Sequence, residues 1–201
     1  MEHHLQDKRI EKGEQMRARI LHTAITLIAE QGIKELSAAK LAQTIGMSKS
    51  NVFHHFKSID EILSSAVHIV FEDLSQPLKQ EYQHIEEFLD ALGHSIHQVP
   101  EEYLLLFKAI LSFYHEGIFN SNYQEILSSY ANQTTQLIEK QLVELVPHPV
   151  AQDTLRAIST ILLTSLDGMG LHYWLNEHKD QYELAWQLQK KMILQYLGGE
   201  L

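Results

Sequence analysis

The sequence predicts an all-α fold: a small N-terminal three-helix unit over residues 1–57, followed by a larger helical bundle over 58–201. Three observations predict it. Apolar residues recur at spacings of three and four along most of the 201 residues, the period of a helix with one buried face. No run alternates as a half-buried strand would. Pro77, Pro100, Pro147, Pro149, Gly32 and Gly198-Gly199 fall between the periodic segments, where chain breakers belong.

Residues 1–13 are charged and lack an apolar face, so a mobile tail is expected there. The first helix is expected over about 14–30, with Met16, Ile20, Ala24, Leu27 and Ile28 on one face and Gly32 as its stop. Ser37 is a good N-cap for the second, since its hydroxyl can accept from backbone N–H groups that the first turn leaves unpartnered. Leu36, Leu41 and Ala42 fall on one side of that helix, Lys40 and Gln43 on the other. Gly46 sits where the departing chain needs a positive φ, which glycine adopts without steric cost. Ile45 and Met47 flank it as apolar pins. Ser48 caps the third helix, whose first turns present Lys49, Ser50, Asn51, His54 and His55 outward, while Val52, Phe53 and Phe56 are expected to anchor it. Two short helices joined by a glycine corner make a helix-turn-helix, which lays its second helix in a DNA major groove. An ordinary αα-hairpin with the same corner is the alternative.

Six further helices are expected. The fourth runs from about Ile59 to Leu74 and carries Ile62, Leu63, Ala66, Ile69, Val70 and Leu74. The fifth covers about 78–98, and the sixth runs from Pro100 to about His115. The seventh covers about 121–146, the eighth 150–176 and the ninth 180–197. The sixth is apolar around most of its circumference, as a buried central helix would be.

Charge supports the nucleic-acid reading. The whole chain carries −10, yet residues 1–57 hold nine basic against six acidic side chains, and residues 58–201 hold seven against twenty. An acidic protein with a mildly basic N-terminal quarter suits local contact with DNA and repulsion elsewhere. The absence of cysteine excludes disulfides, thiolate metal sites and thiol redox switches. The charged N-terminus does not read as a secretory signal, and no stretch approaches the roughly 18–20 apolar residues of a membrane span. A cytoplasmic protein with no membrane association is expected.

One stretch resembles a known family. Arg19-Ile20-Leu21, Ala24, Leu27, Gly32, Leu36-Ser37, Leu41-Ala42, Ile45-Gly46-Met47-Ser48-Lys49-Ser50-Asn51-Val52-Phe53-His54-His55-Phe56-Lys57 and Leu63 are similar to the TetR (tetracycline-repressor-like) transcriptional regulators. The match covers roughly the first third of the chain. It implies three N-terminal helices with the third reading double-stranded DNA. By position it makes Ser37, Ser48, Lys49, Asn51, Phe53, His54, His55 and Lys57 the DNA-facing set, to which the helical pattern adds Ser50. The chain departs from the family at Phe53, where tyrosine is usual, and at Ile59, where lysine is usual. Both departures remove a group suited to a phosphate. Asn51 and Lys49 suit adenine and guanine edges by chemistry, whereas Lys57 and Lys49 suit phosphates.

The resemblance also implies a small-molecule effector. Tyr103, Phe107, Phe113, Tyr114, Met169, Tyr173 and Trp174 could line a cavity, with His97, His115, Asp167 and His172 as polar handles, although the same aromatics could simply fill the core. The last two helices suggest a homodimer. Ser165, Gly168 and Gly170 would permit close helix approach. Ala185, Leu188, Met192 and Tyr196 form a stripe that Trp186, Ile193 and Leu197 broaden beyond the needs of one core. A two-fold pair would read an inverted-repeat operator.

Thirteen histidines raise the alternative of a metal-dependent enzyme. Glu81 and His84 make a single Glu-x-x-His, whereas a helix-bundle di-iron site needs two such motifs with two further glutamates. His94 and His97 are three apart, and no His-Glu-x-x-His, phosphate loop or Gly-x-Ser-x-Gly elbow occurs. No catalytic residue, metal ligand or cofactor is assigned. A non-DNA helical adaptor is the remaining alternative. The expected function is a DNA-binding regulator, a repressor released by its ligand.

Overall fold

The computed structural model describes residues 2–97 and 101–198, and it is all-α with no strand among them. The helices are α1 (Glu2–Gln31), α2 (Ala38–Ile45), α3 (Lys49–His55), α4 (Ile59–Leu74), α5 (Ile85–His97), α6 (Glu101–Phe119), α7 (Ser121–Leu145), α8 (Gln152–Leu175) and α9 (Asp180–Gly198). Short 3-10 turns at Ile33–Glu35 and Gln76–Lys79 join some of them.

Two compact units emerge, and they do not follow chain order. The first holds Met1–Leu74 with Glu101–Leu127, the second Ser75–Pro100 with Ser128–Leu201. Within the first, α1 packs on α2, α3, α4 and α6, α2 on α3, and α4 on α6. Ile20, Ala24 and Ile28 of α1, Leu41 of α2, Val52 of α3, Ile62 and Ala66 of α4, and Ala109 and Phe113 of α6 are all removed from solvent. Their i, i+3, i+4 spacing on each helix is the signature of a core-facing stripe.

Three expectations need correction. The segment expected to be a tail is helical from Glu2 onward, continuous with α1. Its Glu, Gln, Lys, Arg and Leu residues are good helix formers, and they extend a helix already nucleated downstream. The fifth helix is not continuous from residue 78. Pro77 opens a 3-10 turn there, and Tyr82 Oη donates to Pro77 O at 2.6 Å. The Gln141 amide from α7 donates to Leu78 O and Gln80 O at 3.0 and 2.8 Å. A tertiary side chain thus satisfies the carbonyls that a helix would have used, and α5 starts only at Ile85. The sixth helix runs four residues past His115. Its far end is not central, since Ile118 and Phe119 are exposed.

The second unit is built on α5, α8 and α9, which contact one another in pairs, with Ile138 and Leu142 of α7 added to the same core. Trp186 of α9 is 1% exposed at its centre. Its Nε1–H donates to Leu89 O at 3.1 Å, satisfying the single donor of the indole. Lys190 and Asp90 pair across α9 and α5 at 2.5 Å. Trp186, Ile193 and Leu197, expected to widen the outer surface of the last helix, therefore face inward. Leu184, Leu188, Met192 and Tyr196 are the residues left outside.

Candidate nucleic-acid interface

The helix-turn-helix forms as its residues dictate. Ser37 Oγ accepts from Lys40 N–H at 3.2 Å, and Ser48 Oγ accepts from Asn51 N–H at 3.2 Å. Each cap satisfies a donor that its first turn leaves orphaned. Gly46 takes φ 77°, ψ 39°, and its N–H returns to Ala42 O and Gln43 O to close α2. Turn and caps together fix the direction in which α3 leaves.

One face of α3 is anchored and the other is open. Val52 and Phe56 are buried, while Ser48, Lys49, Ser50, Asn51, Phe53, His54 and Lys57 are exposed and His55 is half-buried. Ser37, at the start of α2, is also exposed. Phe53 corrects the apolar pattern: at 41% exposure it is no anchor, because it sits on the side of the helix opposite the core while Val52 and Phe56 take the inner positions. Lys49 Nζ lies 6.0 Å from the Phe53 ring centroid, near the outer limit of a cation–π contact. Ser48 and Ser50 hydroxyls share a hydrogen bond at 2.9 Å. The result is a surface of amide, hydroxyl, imidazole and ammonium groups, the chemistry that meets base edges and phosphates.

Behind this face lies a network that pattern reading did not find. Arg17 of α1 donates to His55 O, the last residue of α3, and to Glu61 Oε1 at 3.4 Å. Its guanidinium carbon lies 4.0 Å from the Phe56 ring centroid. Arg19 Nη2 donates to Ile45 O, the last residue of α2, at 3.1 Å. Glu61 Oε2 accepts from Lys57 N–H at 2.6 Å, and Ser58 Oγ accepts from Glu61 N–H at 3.1 Å. The Ser58-x-x-Glu61 spacing is that of a capping box and was legible as such. The Lys57 N–H holds the Glu61 carboxyl below the usual range; burial opposes it, and Arg17 adds smaller lowering effects. Burial, then the charges of His54 and Arg17, push His55 below its ordinary value and favour its neutral form.

The residues expected around a ligand divide between the two compact units. In the first, Phe113 is buried with its ring 6.2 Å from Tyr123. The Tyr123 hydroxyl is pushed up to about 12 by burial, with Asp60 and Glu116 adding to it. Tyr103, Phe107 and Tyr114 are half-buried, and His115 is exposed with its ring 5.3 Å from Phe119. In the second unit, Tyr173 Oη donates to His97 O at 3.2 Å. Lys179 Nζ stands 5.1 and 4.9 Å over the rings of Tyr173 and Trp174, and His172 stacks on Tyr182 at 6.2 Å. Asp167 and Met169 are half-buried on α8. His97 Nδ1 is buried and has no hydrogen-bond partner among the described residues, and burial pushes this imidazole below its ordinary value.

Among the described residues no helix is long and apolar enough to cross a membrane, and no group of three or more His, Asp or Glu converges to hold a metal ion.

Residues 20–66 match the family profile of bacterial regulatory proteins, tetR family. No curated protein matches the chain by sequence. Several solved structures share the fold. A transcriptional regulator from Rhodococcus sp. Rha1 superposes with a TM-score of 0.75 at 19% identity, over 90% of this chain and 96% of that one. GusR of Salmonella enterica gives 0.72 at 16% identity, over 90% and 95%. A protein from Saccharomonospora viridis, solved in complex with choline, gives 0.66 at 20% identity, over 87% and 94%.

Proposed function

We propose, from the residues 20–66 that make this chain a member of the tetR family of bacterial regulatory proteins, that it is a repressor that binds an inverted-repeat operator as a homodimer and is released by a small-molecule effector. One observation carries the DNA reading: α3 is capped at Ser48, anchored by Val52 and Phe56, and open on the face bearing Lys49, Ser50, Asn51, Phe53 and His54. Asn51 and Lys49 read base edges, Lys57 and the hydroxyls of Ser37 and Ser48 position the backbone, and His55 completes the edge of the surface.

Support for a homodimer comes from the outer side of the last two helices. Leu184, Leu188, Met192 and Tyr196 of α9 and Ile161 and Leu175 of α8 are large, apolar and exposed. The four on α9 recur every fourth residue and so share one helix face, and an exposed apolar face of this kind marks an association surface. A methyl group on Gly168 would meet nothing within 4 Å, so the close approach that glycine permits is not used within the subunit. Pairing through this face sets two α3 helices about 34–36 Å apart, one turn of DNA.

The proposed effector site lies on α5 and α8, in the second compact unit. His97, His172, Tyr173 and Trp174 supply the aromatic surface and polar handles of the kind a small-molecule site combines. The choline complex of the Saccharomonospora viridis protein shows a small molecule on the same fold. Release requires the effector to favour one conformation by about 1–3 kcal/mol, passed through α4 to the reading heads.

The test is selection of bound duplex from a random pool by the purified full chain, with salt recorded. A palindromic consensus is expected, and Asn51→Ala or Lys49→Ala should weaken its binding by about 1–3 kcal/mol while leaving the oligomeric state unchanged. Recovery of no preferred duplex would end the regulator reading.

A further inference from the structure

We infer that Arg17 is a positioning residue for DNA reading: it holds the C-terminal end of α3 in place and makes no contact with DNA itself. The inference rests on the reading of α3 as the DNA-facing helix. An α3 of seven residues makes barely two turns, too short to be stable alone, so its orientation is set by whatever its ends touch. The N-terminal end is held covalently by the Gly46 corner and the Ser48 cap. The C-terminal end meets Arg17.

That one guanidinium makes three contacts. It donates to the carbonyl of His55, the last residue of α3. It lies over the ring of Phe56, the residue that ends the helix, at 4.0 Å. It pairs with Glu61 in the first turn of α4 at 3.4 Å. The terminal carbonyls of a helix lack intrahelical partners and carry the negative end of its dipole, so a cation there is favourable twice over. Only a planar guanidinium can serve a carbonyl, a ring face and a carboxylate at once. Arg19, two residues along α1, makes the same kind of contact with Ile45 O at the end of α2. Both helices of the helix-turn-helix are thus fastened at their C-terminal ends to the one helix behind them.

The second oxygen of Glu61 accepts from the backbone of Lys57 at 2.6 Å, so Arg17, Glu61 and the α3–α4 corner form one closed set. The guanidinium's contacts are all to the α3–α4 corner, while its side chain is 42% exposed, so the salt dependence is what separates a positioning role from a phosphate contact.

The experiment measures binding of the full chain to its selected duplex and to a scrambled one, across a range of salt. For Arg17→Ala, affinity for the selected duplex should fall about tenfold or more, as loss of register at base edges does. Affinity for the scrambled duplex and the slope of log K against log salt should not move. Lys57→Ala is the comparator, expected to weaken both duplexes alike and to reduce the slope by about one. A slope reduced by about one in Arg17→Ala, with equal losses on both duplexes, would make Arg17 a phosphate contact and overturn the inference. So would an unchanged ratio between duplexes in a variant whose circular dichroism is native. Should Arg17→Ala not fold, Glu61→Gln takes its place. This variant cannot accept from Lys57 and Arg17 together, and its ratio between duplexes should narrow. An equal gain on both duplexes, the effect of removing an acid near DNA, would sink the idea. If the unaltered chain prefers no duplex, the regulator reading fails, and the role of Arg17 in DNA reading falls with it; a preference in the unaltered chain that Arg17→Ala leaves intact overturns the role of Arg17 alone.

Discussion

Gly93 of α5 carries no side chain because the Trp186 indole occupies the space one would fill: a methyl group there would lie 2.3 Å from Nε1 and 2.5 Å from Cδ1. The indole cannot retreat easily, since it is fully buried and its N–H is committed to Leu89 O. Gly93→Ala is therefore expected to destabilise the fold by about 1–3 kcal/mol through overpacking. Urea unfolding checks it, and an unchanged midpoint would show that the indole moves freely. At this scale the local residues were legible and the paired ones were not. The caps at Ser37 and Ser48 and the positive φ at Gly46 follow from neighbours in sequence. The Gly93–Trp186 and Arg17–His55 contacts join residues far apart in the chain, and no window of sequence contains both members.

Helices obey their own signals wherever no distant side chain competes. The expected and observed bounds of α4 coincide at Ile59 and Leu74, where Ser58 and Glu61 start the helix. The fifth helix departs because Gln141 and Pro77 hold residues 76–80 in another conformation. Two glycines offer a paired test of what a backbone position demands. Gly46, at φ 77°, has open space where a Cβ would stand, so only its conformation opposes a side chain. Gly46→Ala should cost about 1–2 kcal/mol. Gly13, inside α1, has equally open surroundings and an ordinary helical backbone, so Gly13→Ala should stabilise by about 0.5–1 kcal/mol. Thermal denaturation of the two variants should shift in opposite directions, and shifts of the same sign would contradict the assignment.

Across the whole molecule, basic residues gather in the N-terminal quarter and acidic ones in the rest. The proposed dimer predicts that Leu188→Glu with Met192→Glu, at positions 59% and 60% exposed, will leave the subunit folded and yield monomers in sedimentation. Operator affinity should fall with the lost second reading head. A dimer that survives both charges would move the association surface elsewhere. The stripe itself was only half legible. Periodicity showed that α9 has more apolar surface than one face needs, and packing decided that Trp186, Ile193 and Leu197 serve the core while Leu184, Leu188, Met192 and Tyr196 remain outside.

Helical class, the glycine corner, both serine caps and the outward polar face of α3 follow from residues within a few positions of one another, because hydrogen bonds to the next turn and a 3.6-residue period are local physics. Which helices share a core follows from contacts between distant segments. Those contacts alone assign α6 to the unit that holds the helix-turn-helix, bury Trp186 against Gly93, and bring Arg17 to the carbonyl that ends α3.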